Sequence, residues 1–302
     1  MTNNSLVSIG LHTGKSDYVV LLENLLKSIL VCNEYTNLEI VLIESAGNKD
    51  IRSWIDELDL NEYFVNFDGT KTDISKRTGV RIKKTTMYLD YPDDLMWYQC
   101  YSDAMRNFFE KCSGEYCFML AEDNQFFLSG DVITDCIDIL KKYGVSKTMV
   151  NFSTLQIYKY FKKNNQVKEM SKMSMPDSGE VNYFLTKFPK WDPTYFCHKE
   201  IFKMLGPFSL SDEKNPHRTI EYFSERANKL GLKRVFLSVP QNVWFPNDKR
   251  DRIIAKIKKG CKIDPNFVLL NTHDKETIRD QYSKSEIFGS RPIASEDVMG
   301  LI

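Results

Sequence analysis

The feature that most constrains the fold is a repeated alternation of short apolar runs with helical patterns. Residues 6–11 and 38–45 are short apolar or β-branched runs typical of buried strands, and residues 17–32 and 48–58 carry apolar residues at helical spacing. A strand followed by a helix, twice over, is typical of parallel βαβ units. The sequence therefore predicts an α/β fold with a mostly parallel, doubly wound sheet flanked by helices.

The alternation continues along the chain. The same patterns predict a strand near 81–88, a helix near 94–112, a strand at 114–121, a helix at 131–144, a strand at 148–155, a strand and a short helix within 193–208, a helix at 218–231 and a strand at 233–240. Residues 156–192 are polar and Met-rich and lack periodicity, so they predict a long loop.

Charge, cysteine usage and apolar run length argue against a nucleic acid partner, a disulfide-bonded secreted protein and a membrane span. Lys plus Arg balance Asp plus Glu at 41 each in 302 residues, so no charge field indicates a nucleic acid partner. The seven cysteines include no CxxC pair, and the first residues show no secretory signal, which predicts reduced thiols in a cytoplasmic protein. No apolar run reaches the about 18 residues that a membrane span requires.

Polar residues follow three of the predicted strands. His12 and Thr13 follow the first strand, Glu44 ends the second, and the Glu-Asp-Asn triplet 122–124 ends the strand at 114–121. An open parallel sheet binds its ligand beyond the carboxyl ends of its strands. We therefore expect these residues, although far apart in sequence, to converge on one edge of the sheet.

The triplet carries the most specific chemistry. The oxygens of Glu122, Asp123 and Asn124 are hard ligands that suit Mg²⁺ or Mn²⁺, with substrate phosphates and water completing the shell. Such a metal offsets the charge that develops on a departing diphosphate. The alternative is an acidic turn that ends a strand and caps the next helix.

Several segments resemble a known enzyme family. YCFMLAEDNQFFLSGDVITD resembles the metal-site segment of GT-A-fold glycosyltransferases, in which a hydrophobic strand leads into an acidic triplet. LVSIGLHTG, EIVLIES and CSGEYCFMLAED resemble, in that order, segments of the family 2 glycosyltransferases, and YFCHKEIFKMLGPF and ERANKLGLKRVFLSVP resemble their acceptor-side segments. The similarity covers roughly residues 5–245.

The resemblance implies a division of the chain and a set of roles. Residues 1–125 are the expected donor-binding half, 126–246 the acceptor-binding half of the same GT-A domain, and 247–302 a C-terminal helical extension. The implied donor is a nucleoside diphosphate sugar, and the implied donor-binding residues are His12, Thr13, Glu44, Glu122 and Asp123.

The resemblance also implies a metal site at Asp123 and Asn124 for Mn²⁺ or Mg²⁺. The family usually has an acid where this chain has Asn124, and an asparagine keeps an oxygen ligand but loses the charge. This departure leaves two alternatives open, a working glycosyltransferase and a catalytically degenerate protein that binds a nucleotide sugar.

Inverting transfer to a hydroxyl requires a carboxylate that takes the hydroxyl proton. By resemblance this base lies near the start of the helix in HRTIEYFSERANKLG, and Glu221 is the predicted residue, with Glu225 as the alternative four residues later. The family's Glu-Asp pair is absent because Tyr222 follows Glu221, and an exposed helix acid is the competing interpretation.

The acceptor is expected to be a glycan or a lipid-linked hydroxyl. The basic segment 248–262 suits contact with an anionic membrane at its cytoplasmic face, or a helix packed by its isoleucines with a solvated basic face. His273 is a candidate late metal ligand, and Trp97, Trp191 and Trp244 are candidates for stacking on a sugar or base or for core packing. Nucleotidyltransferases on a similar sheet usually have a Gly-rich loop with Arg and Lys after the first strand. The corresponding segment here, LHTGKSDY, has only one Gly and one Lys, so this alternative is disfavoured.

Overall fold

A computed structural model describes part of the chain in enough detail for analysis. The described residues are 5–13, 22–23, 25–26, 29–30, 33, 35–60, 82–92, 97–122, 124–126, 128–129, 132–151, 170–175, 179–186, 195–205, 225–237, 242–244 and 270–271. The predictions for Asp123, Glu221, His273 and the segment 248–262 lie outside these residues.

The strands and helices follow the predicted alternation closely. The strands are β1 Val7–Thr13, β2 Leu38–Glu44, β3 Lys83–Tyr88, β4 Tyr116–Ala121, β5 Asn124–Phe126, β6 Leu128–Ser129, β7 Thr148–Asn151, β8 Met170–Met175, β9 Gly179–Thr186, β10 Tyr195–His198, β11 Lys233–Leu237, β12 Asn242–Trp244 and β13 Leu270–Asn271. The helices are α1 Lys49–Glu57, α2 Trp97–Lys111, α3 Val132–Tyr143 and α4 Glu200–Leu205. Helical turns are also described within 22–30 and at 225–229.

Among the described residues, nine strands form one sheet in the order β3-β2-β1-β4-β10-β7-β11-β9-β8. β1 pairs in parallel with β2 and β4, β2 with β3, and β7 with β11. β10 runs against both of its neighbours, β4 and β7, and β9 runs against β11. The predicted fold class, an α/β domain with a mostly parallel, doubly wound sheet flanked by helices, is confirmed.

The sheet separates two apolar cores because successive strand residues point to opposite faces. On one face, Ile9 and Ile40 pack with the helical turns at 22–30 and with α1 and α3. On the other face, Val41 and Met119 pack with α2 and α4. The helical turns show why this sequence forms an amphipathic helix, since its buried residues recur three and four apart: Leu22, Leu25, Leu26, Ile29 and Leu30.

A polar network closes the amino edge of the sheet. Glu39 is fully buried in β2, and its carboxylate accepts hydrogen bonds from Ser8 Oγ, Thr85 Oγ1 and the Ser113 amide and lies 2.8 Å from Lys83 Nζ. Burial alone would raise the Glu39 pKa, but the hydrogen bonds from these partners outweigh it and lower the pKa to about 2. The network fixes β1, β2 and β3 to one another at the end opposite to the predicted site.

Two expectations for the later part of the chain are corrected. Residues 170–186 are not part of a long loop, because β8 and β9 form an antiparallel hairpin that extends the sheet beyond β11. Leu270 and Asn271 lie within the segment expected to be helical, but they form a short strand beside β6. None of the helices in the described ranges is long and apolar enough to cross a bilayer.

Candidate functional site

The carboxyl ends of β1, β2 and β4 meet at one edge of the sheet. The β1–β2 register places Thr13 directly beside Glu44. Just beyond the last rungs, the Ser45 amide donates to the Thr13 carbonyl at 3.1 Å, and the Glu122 amide donates to the His12 carbonyl at 3.1 Å. The structure therefore brings together the predicted residues of three strand ends.

His12 is buried at this edge as a neutral imidazole. Its Nε2 shares a 2.8 Å hydrogen bond with Ser45 Oγ, and its ring packs edge-to-face against Tyr101 with centroids 5.3 Å apart. Burial lowers the His12 pKa to about 4, because a charged ring cannot be solvated there. His12 can therefore exchange hydrogen bonds with a ligand without adding positive charge to the site at neutral pH.

Thr13 carries an unsatisfied hydroxyl. The residue is fully buried, and its Oγ1 has no hydrogen-bond partner among the residues that the structure describes. A buried polar group without a partner costs about 1–3 kcal/mol, and a ligand that donates to or accepts from this hydroxyl would recover that cost. The orphaned hydroxyl lies at the carboxyl end of β1, where a doubly wound sheet binds its ligand.

The Glu44 carboxylate is hydrogen-bonded to other groups of the protein. Its fully buried carboxylate accepts hydrogen bonds from the amides of Ala46 and Asn48, at 2.6 and 3.1 Å, and from Arg52 Nε at 2.6 Å. These bonds shape the turn after β2 and attach α1, whose first turn is capped by the Asn48 side chain. A contact between Glu44 and a nucleotide stays a prediction, and the observed role of Glu44 is to build this corner of the edge.

Asp90 is a residue that the sequence analysis missed. It follows β3 at the same edge, and its carboxylate accepts a 2.6 Å hydrogen bond from Arg52, whose guanidinium also lies over the Tyr88 ring. The Asp90 side chain is 75% exposed, whereas that of Glu44 is 0% exposed, so Asp90 presents the accessible carboxylate at this corner. An acid two residues after the strand pattern at 81–88 was the available signal.

The triplet residues that the structure describes are tightly held. Glu122 and Asn124 are each 6% exposed. Asn124 Nδ2 donates to the Ala121 carbonyl at 3.2 Å, which fixes the amide plane and assigns its nitrogen to the protein. An amide oxygen and a carboxylate are ligand types that suit Mg²⁺ or Mn²⁺, as the sequence analysis expects for this triplet.

The structure does not test a metal at this position. Within the described ranges, no group of three or more His, Cys, Asp or Glu side chains is arranged to hold a metal ion, and Asp123 lies outside those ranges. The metal site at Asp123 and Asn124 therefore stays a prediction. The base is equally untested, because Glu221 lies outside the described residues, while the alternative Glu225 is exposed at the start of the turns at 225–229.

Comparison with known proteins finds solved structures with a similar fold but no similar sequence. No family model matches the sequence, and no curated protein matches it. Among solved structures, S. aureus TarS aligns over 94% of this chain and 44% of its own, with 10% identity and a TM-score of 0.49. TarS 1-349 and its complex with UDP align over 94% of this chain and 73% of theirs, with 10% identity and TM-scores of 0.47 and 0.48. This chain spans less than half of the longer TarS chain, and similarity at this level indicates no activity by itself.

Proposed function

We propose that the protein is a GT-A glycosyltransferase that transfers a sugar from a nucleoside diphosphate donor to a hydroxyl, with inversion. The observation that carries the proposal is the convergence of His12, Thr13 and Glu122 on the carboxyl edge of a doubly wound sheet, where such sheets bind nucleotides. The choice of sugar transfer over other nucleotide chemistry rests on the resemblance of the ordered segments to the family 2 enzymes.

The edge provides distinct groups for the parts of the donor. The orphaned Thr13 hydroxyl and the neutral His12 ring suit the nucleoside, and Asp90 offers an accessible carboxylate for ribose hydroxyls or base N–H groups. Glu122, Asp123 and Asn124 would hold the diphosphate. Mn²⁺ or Mg²⁺, bound through Asp123 and Asn124, would offset the charge of the departing diphosphate.

Glu221 would take the proton of the acceptor hydroxyl as that oxygen attacks the anomeric carbon of the sugar. Attack from the face opposite to the diphosphate inverts the configuration at this carbon. The acceptor is a glycan or a lipid-linked hydroxyl, and the basic segment 248–262 would keep the protein at the membrane surface in the second case.

Calorimetric titration with UDP and GDP, each with and without Mn²⁺, tests the nucleotide site. We expect one of the two nucleotides to bind, and no binding by either would contradict the proposal. Glu221→Gln should abolish turnover and leave donor binding unchanged, because the amide keeps the shape of the carboxylate but cannot accept the proton. Glu225→Gln is the matched control and should retain turnover, and the reverse pattern would move the base to Glu225.

A catalytically degenerate nucleotide-sugar binder is the second candidate. It is favoured by one observation, the amide of Asn124 bonded to the Ala121 carbonyl at the position where the family has an acid. Slow hydrolysis of a nucleotide sugar by the isolated protein distinguishes the two, because a pure binder releases no free nucleoside diphosphate.

A further inference from the structure

Two connections that lead into strands of the sheet carry basic residues and no acid. The first, KKYGVSK at 141–147, leads from α3 into β7, and the second, RANKLGLK at 226–233, leads from the helical turns at 225–229 into β11. Each contains three Lys or Arg residues and no Asp or Glu, in a chain whose basic and acidic residues balance at 41 each. The chain as a whole is neutral, so the excess of positive charge is local.

Backbone pairing brings the two connections side by side. Lys233 lies opposite Thr148 in the parallel pair of β11 and β7, and the Lys233 amide donates to the Lys147 carbonyl at 2.7 Å. The ammonium groups of Lys142 and Lys233 both lie over the Tyr143 ring, 5.5 and 5.3 Å from its centroid. The two connections therefore form one surface, here named the basic patch, whose exposed basic residues are Lys141, Lys142, Lys147, Arg226, Lys229 and Lys233.

The basic patch lies at the edge of the sheet opposite to the candidate site. β4 and β7 both run against β10 and so point the same way, while β1 is parallel to β4 and β11 is parallel to β7. Thr148 and Lys233 begin their strands, whereas Thr13 and Glu44 end theirs. A ligand bound at the carboxyl edge therefore does not account for this patch.

The fold leaves much of the patch's charge uncompensated. Four of its lysines form no ion pair with any carboxylate of the described residues: Lys141, Lys147, Lys229 and Lys233. Lysines in the last turn of a helix stabilise the negative end of its dipole, which accounts for Lys141 and Lys142 at the end of α3. Lys147 and Lys233 lie beyond the helices, so this explanation does not extend to them. An anionic partner would offset the mutual repulsion of these groups.

An exposed leucine lies within the second connection. Leu230 is 48% exposed and is the more exposed of the two large exposed hydrophobic side chains in the described ranges. Its amide donates to the Arg226 carbonyl, and Gly231, with a φ of +67°, ends the helical turn directly after it. An apolar side chain flanked by lysines suits the surface of an anionic bilayer, where the apolar group enters the acyl boundary and the ammonium groups stay at the phosphates. A soluble polyanion would bind the lysines but offers no apolar phase for Leu230.

We infer that the basic patch is a docking surface for an anionic phospholipid bilayer, with Leu230 inserted among the lipids. The inference goes beyond the proposed function and does not depend on it. Docking through the amino edge directs the carboxyl edge, with the candidate site, away from the lipid.

Co-sedimentation with vesicles tests the docking. The probes are vesicles of equal parts phosphatidylglycerol and phosphatidylcholine, and vesicles of phosphatidylcholine alone. The native protein should bind only the anionic vesicles, and raising the salt concentration should weaken binding because it screens the charges. Replacing Lys147, Lys229 and Lys233 together by Gln should lower the affinity about 100-fold, since each lysine at an anionic surface contributes about fivefold.

A control variant carries the same change of net charge at other exposed positions. Replacing Lys49, Lys111 and Lys203 together by Gln removes three positive charges outside the two connections and should keep the affinity within about threefold. Circular dichroism should show native spectra for both triple variants, because all six side chains are exposed.

Leu230→Gln tests the insertion separately from the charge. It should weaken binding to the anionic vesicles about fivefold, because part of the apolar surface no longer leaves water. Met204→Gln, at the other large exposed hydrophobic residue, is the matched control and should bind as the native protein does.

Three results would overturn the inference. The first is a native protein that does not bind anionic vesicles. The second is unchanged affinity in the triple variant at 147, 229 and 233, which would assign docking to another part of the chain, such as 248–262. The third is binding of heparin without binding of vesicles, which would identify the partner as a soluble polyanion. None of these results alters the outcome of the nucleotide titrations, so the docking surface and the proposed function can fail separately.

Discussion

His12 should make the stability of the protein depend on pH in the mildly acidic range. Its pKa is lowered from 6.5 to about 4 by burial, so the unfolded chain binds this proton more readily than the folded chain. The contribution of neutral His12 to stability is therefore fully present above pH 6.5 and is lost as the pH drops towards 4, by about 3 kcal/mol in total. Urea unfolding at pH 7, 6 and 5 measures this change.

His12→Gln is the matched variant, because it retains hydrogen-bonding groups and does not titrate. The slope of stability between pH 7 and 5 should be smaller in the variant than in the native protein. Glu39 does not affect this slope. Its pKa is lowered to about 2, so its contribution to stability is lost only below pH 4.5, as the carboxylate becomes protonated. An equal slope in both proteins would show that His12 is not the titrating group.

Two carboxylates at the same corner of the edge should respond differently to removal of their charge. Glu44 holds two backbone amides and Arg52 from a fully buried position, so Glu44→Gln should destabilise the fold by about 2–3 kcal/mol. Asp90 is exposed, so Asp90→Asn should leave the melting temperature nearly unchanged and weaken nucleotide binding about tenfold. Thermal melts and UDP or GDP titrations of both variants check this, and a binding defect confined to Glu44→Gln would reverse the assignment.

At the residue scale, the sequence predicts where the site residues lie in the fold better than it predicts which side chains they contact. His12, Thr13 and Glu44 are expected at one edge because the ends of parallel strands coincide, and that follows from strand order alone. The hydrogen bonds that the Glu44 carboxylate accepts come from Arg52 in the next helix and from the amides of the turn after β2. The periodicity of the sequence predicts neither the position of Arg52 nor the shape of that turn. The orphaned hydroxyl of Thr13 is likewise a property of packing, visible only when the groups around it have been placed.

At the scale of elements, Gly114 is required by the close packing of the connection between α2 and β4 against β1. A Cβ atom at this position would lie 2.5 Å from the Ser8 amide nitrogen and 2.8 Å from the Tyr116 carbonyl oxygen. Both are backbone atoms that cannot move without displacing a strand, so Gly114→Ala should destabilise the protein by about 3 kcal/mol or more. This close approach is the physical reason for a glycine at the entry to the acidic strand.

Gly231→Ala is a matched control for the same chemical change. Gly231 has a φ of +67°, and among the described residues no atom lies within 4 Å of the position that a Cβ would take. The cost of the substitution is therefore conformational, about 1–2 kcal/mol. Urea unfolding of the two variants should rank Gly114→Ala as the more destabilised. Equal destabilisation would show that β1 and β4 adjust to a side chain at 114.

The hairpin of β8 and β9 shows where element prediction from sequence fails. Residues 170–175 alternate Met with Ser and Lys and contain no β-branched residue, so they carry a weak strand signal. They are strand because β9 pairs with β11 and β8 then pairs with β9, which are non-local contacts. By contrast, β1, β2 and β4 are buried on both faces, and their continuous apolar runs are visible in the sequence.

At the scale of the whole molecule, the fold class was predictable and the strand order was not. Alternating strands and helices imply parallel pairing, but they do not reveal that β10 inserts between β4 and β7 in the opposite direction. This insertion has a structural consequence. It joins residues 1–125 and 126–246, which the resemblance implies to be donor-binding and acceptor-binding halves, into one continuous sheet with a shared core across β4 and β10.

The continuous sheet predicts that both halves unfold together. Phe196 of β10 is fully buried at the seam and packs against Tyr116 and Phe118 of β4, with ring centroids 5.9 and 5.8 Å apart. Phe196→Leu should lower the stability by about 1–2 kcal/mol without splitting the transition. Phe108→Leu, in α2, should shift the same single transition, because α2 packs on the continuous sheet. Far-ultraviolet dichroism and tryptophan fluorescence should report coincident melts for both variants. Two separate transitions, with Phe108→Leu moving one of them, would show that the halves are independent and that β10 does not couple them.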